Sequence, residues 1–297
     1  LILDFPRTDR CDASDWQCAI DAAILSKRNT DTNVAVVASL PELLPEEFSQ
    51  KLLMSGVVPM FGIEEAISAA EAAAIKPPKS IKPILKPLGS KNIQLIPEAR
   101  AKEILSNYGL AVPKATRANT PSQAAIKSEE IGFPLVLKGE GFAHKTEAKA
   151  IVLNILSKEQ VSENATRIES KSFLLEEMIT DNITELLIGV VRDPAHGFIL
   201  SIAAGGTFTE LIKDTTSLII PVERDEILTA LKNLRIYSLI KGYRGNAKAN
   251  LDAILDAIMS IQSFVIDNTN SIEEIEINPL ICGRKKAIAA DLLLRRA

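Results

Sequence analysis

The segment from residue 76 to residue 91 restricts the fold of this chain more than any other stretch of its sequence. It holds the prolines at 77, 78, 83 and 87, with lysines placed between and beside them. Because proline fixes φ and lacks an N–H donor, no regular helix or central strand can run through the segment. We therefore predict a semi-rigid, exposed linker over 76–91 between two domains, 1–75 and 92–297. A basic patch for an anionic partner is the alternative interpretation of these lysines.

Composition limits the class of protein. With 297 residues, of which 46% are hydrophobic but only 4% aromatic, the cores must be built from Ile, Leu, Val and Ala, which suits α/β layers. A net charge of −4 predicts no nucleic-acid surface, and no apolar run approaches the ~20 residues that span a bilayer. No signal peptide is visible. Three cysteines and two histidines make neither a disulfide framework nor a zinc site, which favours the cytoplasm.

The first domain alternates strand-like and helix-like stretches. Apolar runs at 34–38 and 57–61 are typical of buried strands. Apolar residues recur at helical spacing over 16–27, 45–54 and 63–74. This order predicts a parallel sheet with crossover helices. The chain opens directly on a strand-like run, LILDF, without Met, so we expect it to begin inside a domain, as a fragment or processed piece.

The second domain has a different pattern. Helices are predicted at 97–107, 120–131, 157–170, 223–234 and 251–266, and strands at 135–137, 151–156, 173–177, 185–192, 197–204, 271–278 and 286–292. The strands at 185–192 and 197–204 are close enough to form a hairpin. Many strands are thus antiparallel, which predicts an α+β domain with two layers around a cleft.

One stretch of this domain could hold a phosphate tail. In GFPLVLKGEGFAHKTEAKAI (132–151), a buried strand ends at Lys138, and a loop of small residues with His144 and Lys145 follows. A lysine and loop N–H groups can together face an anion. An exposed imidazole such as His144 could accept a phosphoryl group. A hairpin with a solvated turn and a plain surface histidine are the alternatives.

A second group of residues could hold a metal ion. Glu276 and Asn278 are two apart on a predicted strand and share a face, while Ile275 and Ile277 point to the core. Asp291 can join them if 278 and 291 pair across a hairpin. Carboxylate and amide oxygens suit Mg²⁺. The strand pairing is expected to end at Pro279. An amphipathic edge strand with a solvated acidic face is the alternative.

Two further features are weaker. Glu176 and Glu177 end one strand and Glu185 begins the next, so the crossover between them could form a hinge that lies against an adenine and a ribose; ordinary charged strand ends are the alternative. The Gly205–Gly206–Thr207 turn could face an anion through its N–H groups, or could be a tight loop. His196 lies in a predicted hairpin turn and is given no role.

Taken together, the motifs resemble the NDP-forming (ADP-forming) acyl-CoA synthetases, relatives of succinyl-CoA synthetase. The matching strings, in order, are GFPLVLK (132–138), HKTEA (144–148), ELLIGVVRDP (185–194), GGTFTEL (205–211), GYRG (242–245) and EINPL (276–280). The resemblance implies an ATP-grasp domain over 92–297. It also implies that 1–75 is the end of a flavodoxin-like CoA-ligase domain, so the expected class is α/β: a partial flavodoxin-like parallel domain followed by an α+β ATP-grasp domain.

The resemblance implies the reaction acyl-CoA + ADP + phosphate ⇌ carboxylate + CoA + ATP, with Mg²⁺ and a phosphohistidine relay. Lys138 and Lys145 would hold the ATP or ADP phosphates, and Glu176, Glu177, Met178, Ile179 and Glu185 would line the adenosine. Asn278, Asp291 and Glu276 would hold Mg²⁺, and His144 would take the phosphoryl group. CoA and a small carboxylic acid would bind through a part absent from this chain, and an oligomer is expected.

The sequence departs from the family in two places. Lys149 and Ala150 stand where a small or Gly-Gly pair is usual, and the CoA-binding domain and ligase-half histidine are absent. This chain is therefore expected to bind nucleotide without completing the reaction alone. The alternative function is a catalytically silent ATP-binding regulatory module, such as those attached to acyltransferases. An ATP-grasp carboxylate–amine ligase would leave residues 1–75 unexplained.

Overall fold

The computed structural model describes residues 1–7, 11–75, 83–87, 92–141, 150–206 and 214–297. The chain divides into two compact units, Leu1–Ile81 and Lys82–Ala297, and the division falls inside the predicted linker. None of the helices in the described ranges is long and apolar enough to cross a bilayer.

The first unit contains the predicted alternation of helices and strands. Its elements are α1 (Gln17–Asn29), β1 (Ala35–Ala38), α2 (Glu46–Met54), β2 (Val58–Phe61) and α3 (Ile63–Ala74). β1 and β2 are parallel, as predicted. The predicted first strand is reduced to a single parallel bridge from Ile2 to Val37. Ile20, Val36 and Leu52 are fully buried, so this unit has its own apolar core.

The second unit holds two sheets. The four-stranded sheet has the order β4-β7-β5-β6, and the larger sheet runs β10-β9-β8-β11-β13-β3, with β12 paired to β11 as its seventh strand. The strands are β3 (Gln94–Ile96), β4 (Ala115–Ala118), β5 (Leu135–Gly139), β6 (Ile151–Ile155), β7 (Phe173–Glu177), β8 (Thr184–Asp193), β9 (Gly197–Ala204), β10 (Thr215–Ile220), β11 (Ile272–Cys282), β12 (Ala287–Ala289) and β13 (Leu292–Arg296). The strand pairings described within both sheets are antiparallel, so the predicted α+β character is confirmed.

Each sheet of this unit buries one face against helices. These are α4 (Glu98–Ser106), α5 (Pro121–Ile131), α6 (Lys158–Arg167), α7 (Arg224–Asn233), the short α8 (Tyr237–Ile240) and α9 (Leu251–Asp267). α5 and α6 cover the four-stranded sheet, while α4, α7 and α9 contribute to the core of the seven-stranded sheet. The opposite face of the four-stranded sheet is the one that carries the candidate site.

Several predictions of elements need correction. β3, β4 and β10 were not predicted, and the predicted strand at 286–292 is two strands, β12 and β13. The described part of the linker is not wholly exposed, because Leu85 packs against the core of the seven-stranded sheet. Gly197, in the β8–β9 hairpin, lies so close to this segment that a Cβ there would be 2.1 Å from the carbonyl oxygen of Leu85.

Candidate functional site

Lys138 lies near the end of β5, where strand alternation sets its direction. Leu135 and Leu137 face α5 and α6 and are fully buried, so Lys138 points from the other face of the sheet. Glu176 of β7 projects from that same face, since Val136, two residues before Lys138, pairs with it. The alternation therefore brings a lysine and a glutamate together at the open face of the four-stranded sheet.

Two more charged residues complete a buried group, which we call the ion cluster: Glu98, Lys102, Lys138 and Glu176. The Lys138 ammonium donates to Glu98 Oε1 (2.7 Å) and lies 2.9 Å from Glu176 Oε2. The Lys102 ammonium donates to Glu176 Oε1 (2.6 Å) and lies 2.8 Å from Glu98 Oε1. Both lysines also donate to the carbonyl of Ala290, at 2.6 and 2.7 Å. All four side chains are at most 6% exposed, so the cluster is shielded from water.

The two lysines differ in their titration. Burial and the neighbouring Lys138 ammonium lower the pKa of Lys102. Burial also opposes charge on Lys138, but the carboxylates of Glu176, Glu98 and Asp291 outweigh it and raise the pKa of Lys138. Lys138 is therefore the fixed positive charge at this place, and Lys102 is the lysine that gives up its proton more easily.

Glu98 and Lys102 were not among the predicted site residues. A glutamate four residues before a lysine on a helix is normally an exposed pair of small effect. Here, however, both residues lie on the buried stripe of α4 with Ala101 and Leu105, at helical spacings of three and four. Charged residues on an otherwise apolar stripe are the signal that could have identified them.

The crossover between the two sheets is anchored at both ends. β7 belongs to the four-stranded sheet and β8 to the seven-stranded sheet, so residues 178–183 connect them, as predicted for a hinge. Met178 N donates to the carbonyl of Pro134 (3.1 Å), and Ile183 N donates to that of Cys282 (3.0 Å). Arg284 binds the Asp181 carboxylate through its backbone N and its Nε, both at 2.9 Å. The hinge is thus held to both sheets by hydrogen bonds.

The seven-stranded sheet brings the predicted metal residues to one face. Ile275 and Ile277 are buried in the core, and Glu276 and Asn278 point the other way, as predicted. β11 lies between β8 and β13, so the alternative of an edge strand is wrong. The prediction that pairing ends at Pro279 is also wrong, because the ladder with β8 shifts register there and continues to Cys282.

Asp291 lies next to Asn278 across the pairing of β11 with β12 and β13. Ile277 pairs with Leu292 and Leu280 pairs with Ala289, so 278 and 279 face 290 and 291. Lys138 donates to the carbonyl of Ala290 (2.6 Å), the residue before Asp291, so Asp291 lies beside the ion cluster, and its charge contributes to the raised pKa of Lys138. The structure therefore brings together Lys138 and Glu176 from one sheet and Asp291 from the other.

Asn278 and Asp291 offer only part of the ligand set that Mg²⁺ needs. Within the described ranges, no group of three or more His, Cys, Asp or Glu side chains could hold a metal ion. Asp291 and Asn278 offer a carboxylate and an amide oxygen, and the Asn278 oxygen already lies 3.4 Å from Gly206 N. Mg²⁺ commonly takes one or two carboxylates and fills its shell with waters and phosphate oxygens. The donor set suits an ion that arrives with a phosphate ligand.

The remaining predicted residues are placed as follows. The Glu177 carboxylate accepts from Lys114 N (2.9 Å), and Glu185 Oε1 accepts from the Asn182 amide (2.8 Å) beside the hinge. Ile179 is half-buried in the hinge, and Glu276 is exposed. The side chain of Glu176 is directed into the ion cluster rather than along the hinge. His144 and Lys145 lie outside the described residues.

Comparison with known proteins assigns the fold. The ATP-grasp domain family matches residues 89–295. This chain belongs to that family. It is 32% identical over 200 residues to the beta subunit of acetate–CoA ligase [ADP-forming] II of Pyrococcus furiosus, a match that covers 63% of this chain and 85% of the relative. The resemblance to the ADP-forming synthetases is thereby confirmed.

Solved structures agree with the family assignment. The dinucleotide-forming acetyl-coenzyme A synthetase 1 of Ca. Korarchaeum cryptofilum, solved with coenzyme A, Ca-AMPCP and HgCl⁺, gives a TM-score of 0.63 at 26% identity, covering 79% of this chain and 99% of that chain. A second structure of that synthetase holds coenzyme A and Mg-AMPPCP, with a phosphohistidine segment pointing towards the nucleotide-binding site. It gives a TM-score of 0.58 at 28% identity and covers 67% of this ATP-grasp chain and 92% of that one.

Proposed function

We propose that this chain is the nucleotide-binding part of an ADP-forming acyl-CoA synthetase, which interconverts acyl-CoA, ADP and phosphate with a carboxylate, CoA and ATP in the cytoplasm. The proposal is carried by the contact of the Lys138 ammonium with the carbonyl of Ala290, the residue before Asp291, beside a hinge that joins the two sheets. This contact gives a fixed cation and a metal-type carboxylate at one place. The similarity to beta subunits of acetate–CoA ligases supports it.

In this proposal the chain acts by positioning and charge. Hinge residues 177–179 would lie along the adenosine, and Lys138 would hold the phosphate groups, with Lys145 as a second cation. Asn278 and Asp291, with Glu276 beside them, would hold Mg²⁺, which supplies charge neutralisation for the phosphates when bound. A charged donor in a water-poor site stabilises a phosphate strongly and requires little reorganisation.

The acyl and CoA steps would need residues beyond those described. As the sequence resemblance implies, His144 would accept the γ-phosphoryl group of ATP: the P–O bond to ADP breaks and a P–N bond to the imidazole forms. CoA and the carboxylic acid would bind through another segment or subunit, with the working enzyme an oligomer. The free state of all three cysteines is consistent with a reducing compartment.

Nucleotide binding is tested by titration calorimetry of ADP and adenosine in the presence of Mg²⁺. Lys138→Met should weaken ADP binding about tenfold or more while adenosine binding changes little, because the lysine contacts only phosphate in this proposal. Lys158→Met, an exposed lysine on α6 paired with Glu129, is the matched control. Equal losses for both ligands would mean that the variant has lost the site as a whole.

Phosphoryl transfer is tested with ATP labelled at the γ-phosphate. We expect acid-labile label on the wild-type chain and on His196→Ala, whose imidazole pairs with Asp193 in an exposed turn, but none on His144→Ala. Nucleotide binding without any label would instead favour the catalytically silent module.

A further inference from the structure

A cleft opens on the same unit, between α4 and the β4 edge of the four-stranded sheet, with a volume of about 510 Å³. We call it the α4–β4 cleft. Its lining holds more basic than acidic side chains: Arg100, Lys102, Arg117 and Lys127 against Glu103 and Glu176. The chain as a whole carries a net charge of −4, and two of the basic lining residues, Lys102 and Arg117, pair with Glu98 and Glu140, which lie outside the lining. The nucleotide function proposed above gives the cleft no role.

The two arginines keep donors available for a ligand. Arg100 uses Nη1 to bind Glu103 Oε2 (2.6 Å), and Arg117 uses Nε and Nη2 to bind Glu140 Oε2 (2.8 and 2.7 Å). A guanidinium has five N–H groups. The other N–H groups of both arginines have no acceptor in the described part of the chain, and the two side chains are 60% and 52% exposed. The Arg100–Glu103 pair is an exposed pair of small stability, which a bound anion can displace.

The cleft is also polarised along its length. Val112 and Pro113 line it just before β4 begins. Arg117 lies near the other end of β4, and Lys127 reaches that end, since its ammonium donates to the carbonyl of Arg117 (2.8 Å). A ligand that fits this arrangement carries its negative charge at one end and an apolar body at the other. A phosphate monoester has this form, whereas a dicarboxylate has charge at both ends.

The floor of the cleft is shared with the ion cluster. Lys102 and Glu176 line the cleft, and both also contact the group that holds Lys138. Lys102 and Lys138 share Glu98 Oε1 and the carbonyl of Ala290. Any ligand that attracts Lys102 towards the cleft therefore changes how strongly the two carboxylates retain Lys138.

We propose that the α4–β4 cleft is a binding site for a small organic phosphate monoester, and that its occupancy is coupled through Lys102 and Glu176 to ligand binding at Lys138. The coupling half of this inference rests on the proposed nucleotide function. The binding half does not, so the two can fail separately. By thermodynamic linkage, each ligand changes the affinity of the other by the same factor.

Phenyl phosphate is the probe, titrated into the full chain by calorimetry with and without saturating Mg·AMPPCP. Binding of Mg·AMPPCP to the wild type is measured first, so that loss of the nucleotide site is recognised by itself. We expect saturable binding of phenyl phosphate that persists with Mg·AMPPCP present. We also expect the ADP affinity to change about threefold or more when phenyl phosphate is saturating.

The variants avoid uncovering a buried charge. Arg100→Ala, at an exposed position, and Lys127→Ala, at a half-buried one, should each weaken phenyl phosphate binding about fivefold or more. Arg117→Lys removes the paired N–H donors of the guanidinium but keeps a cation for Glu140, whose side chain is only 6% exposed. This variant should weaken phenyl phosphate binding to a similar extent. Lys158→Ala, on α6, is the control and should change binding less than about twofold.

Three outcomes overturn the binding half of the inference, and a fourth overturns the coupling half. If Mg·AMPPCP displaces phenyl phosphate competitively, the probe binds in the nucleotide cleft. If the three variants bind phenyl phosphate like the wild type, the α4–β4 cleft is not the site. If succinate binds more tightly than phenyl phosphate, the ligand class is wrong. Binding that leaves ADP affinity unchanged overturns the coupling.

Discussion

The contacts of the ion cluster predict how much stability is lost in Glu98→Gln. This change keeps the side-chain shape and removes one negative charge. Glu98 Oε1 lies 2.7 Å from the Lys138 ammonium and 2.8 Å from that of Lys102, and all three side chains are at most 6% exposed. Removing one partner from a buried ion pair typically costs about 3–5 kcal/mol, because it leaves an uncompensated charge. We expect Glu98→Gln to lower the free energy of unfolding at neutral pH by that amount.

The loss should depend on pH, and its sign follows from Lys102. Its pKa in the folded chain is already below the usual value, so between the folded and unfolded pKa values the unfolded chain holds more protons. Stability then rises with pH through that window. Removing the Glu98 charge lowers the pKa of Lys102 further and extends the window to lower pH. The deficit of Glu98→Gln should therefore shrink as the pH rises from neutral towards the ordinary lysine pKa of about 10.5, where Lys138, with its raised pKa, stays charged.

Urea unfolding followed by far-UV circular dichroism measures the effect. With a slope of about 2 kcal/mol per molar urea, the expected loss moves the midpoint down by roughly 1.5–2.5 M. The single tryptophan, Trp16, packs against the core of the first unit, so its fluorescence follows a part of the chain that the substitution does not touch. Glu103→Gln is the matched control on the same helix, since Glu103 is 62% exposed and its pair with Arg100 should contribute less than about 1 kcal/mol. A loss no larger than that of the control, at every pH, would refute the description of Glu98 as the shared partner of two buried ammonium groups.

Three further predictions follow from contacts in the same unit. Gly205→Ala should destabilise the chain by about 1–3 kcal/mol in the same urea assay, because a Cβ would lie 2.6–2.9 Å from backbone atoms of Leu186; Gly189→Ala, whose Cβ would make ordinary contacts at 3.8 Å, is the control. Burial, reinforced by the charge of a nearby glutamate, raises the pKa of Cys282 to about 12, so a thiol reagent at pH 8 should label the two exposed cysteines of the native chain and reach Cys282 only after denaturation. Asp291→Asn should weaken Mg²⁺-dependent ADP binding about tenfold in calorimetry while binding without Mg²⁺ stays near the wild-type level, and equal losses in both conditions would contradict a metal role.

The elements that could be predicted from the sequence are those with strong local signals. α5 begins where expected because the Thr120 side chain accepts a hydrogen bond from Gln123 N and Pro121 occupies the first helical position. It ends at Gly132, which has a φ of +87°. The β8–β9 hairpin likewise follows from two apolar alternating runs separated by a short turn. In these segments the local chemistry and the fold agree.

Other strands carry no such signal. β4 has the sequence ATRA, in which neither the β-branched content nor the alternation is sufficient to indicate a strand. It forms because its backbone pairs with β7, and that pairing depends on a partner far along the chain. β12 and β13 read as one strand in the sequence, and the bend at Ala290, whose N–H donates to the carbonyl of Pro279, separates them. Only the tertiary structure supplies that bond.

The candidate site likewise has a part that the local sequence predicts and a part that depends on distant residues. The face shared by Glu276 and Asn278 follows from strand alternation alone, and so it was predicted correctly. The environment of Lys138 was not, because its partners are separated from it by 40 residues at Glu98 and by 152 residues at Ala290. The sequence identified a lysine that could face a phosphate but not the two carboxylates that already face it.

This arrangement has a consequence for how a phosphate could bind at Lys138. Two ammonium groups and two carboxylates balance within the cluster, so an incoming phosphate does not meet a free positive charge. In the proposed function, Lys138 must turn part of its hydrogen bonding from Glu98 and Glu176 to the ligand. Lys102 can then keep both carboxylates paired, because it already contacts each of them. A lone Lys138 with the same two glutamates would leave a buried carboxylate unpaired at that moment, at a cost of several kcal/mol. The second lysine thus makes it possible for the first to bind a ligand, and this is a physical reason for four charges to be buried where two would satisfy each other.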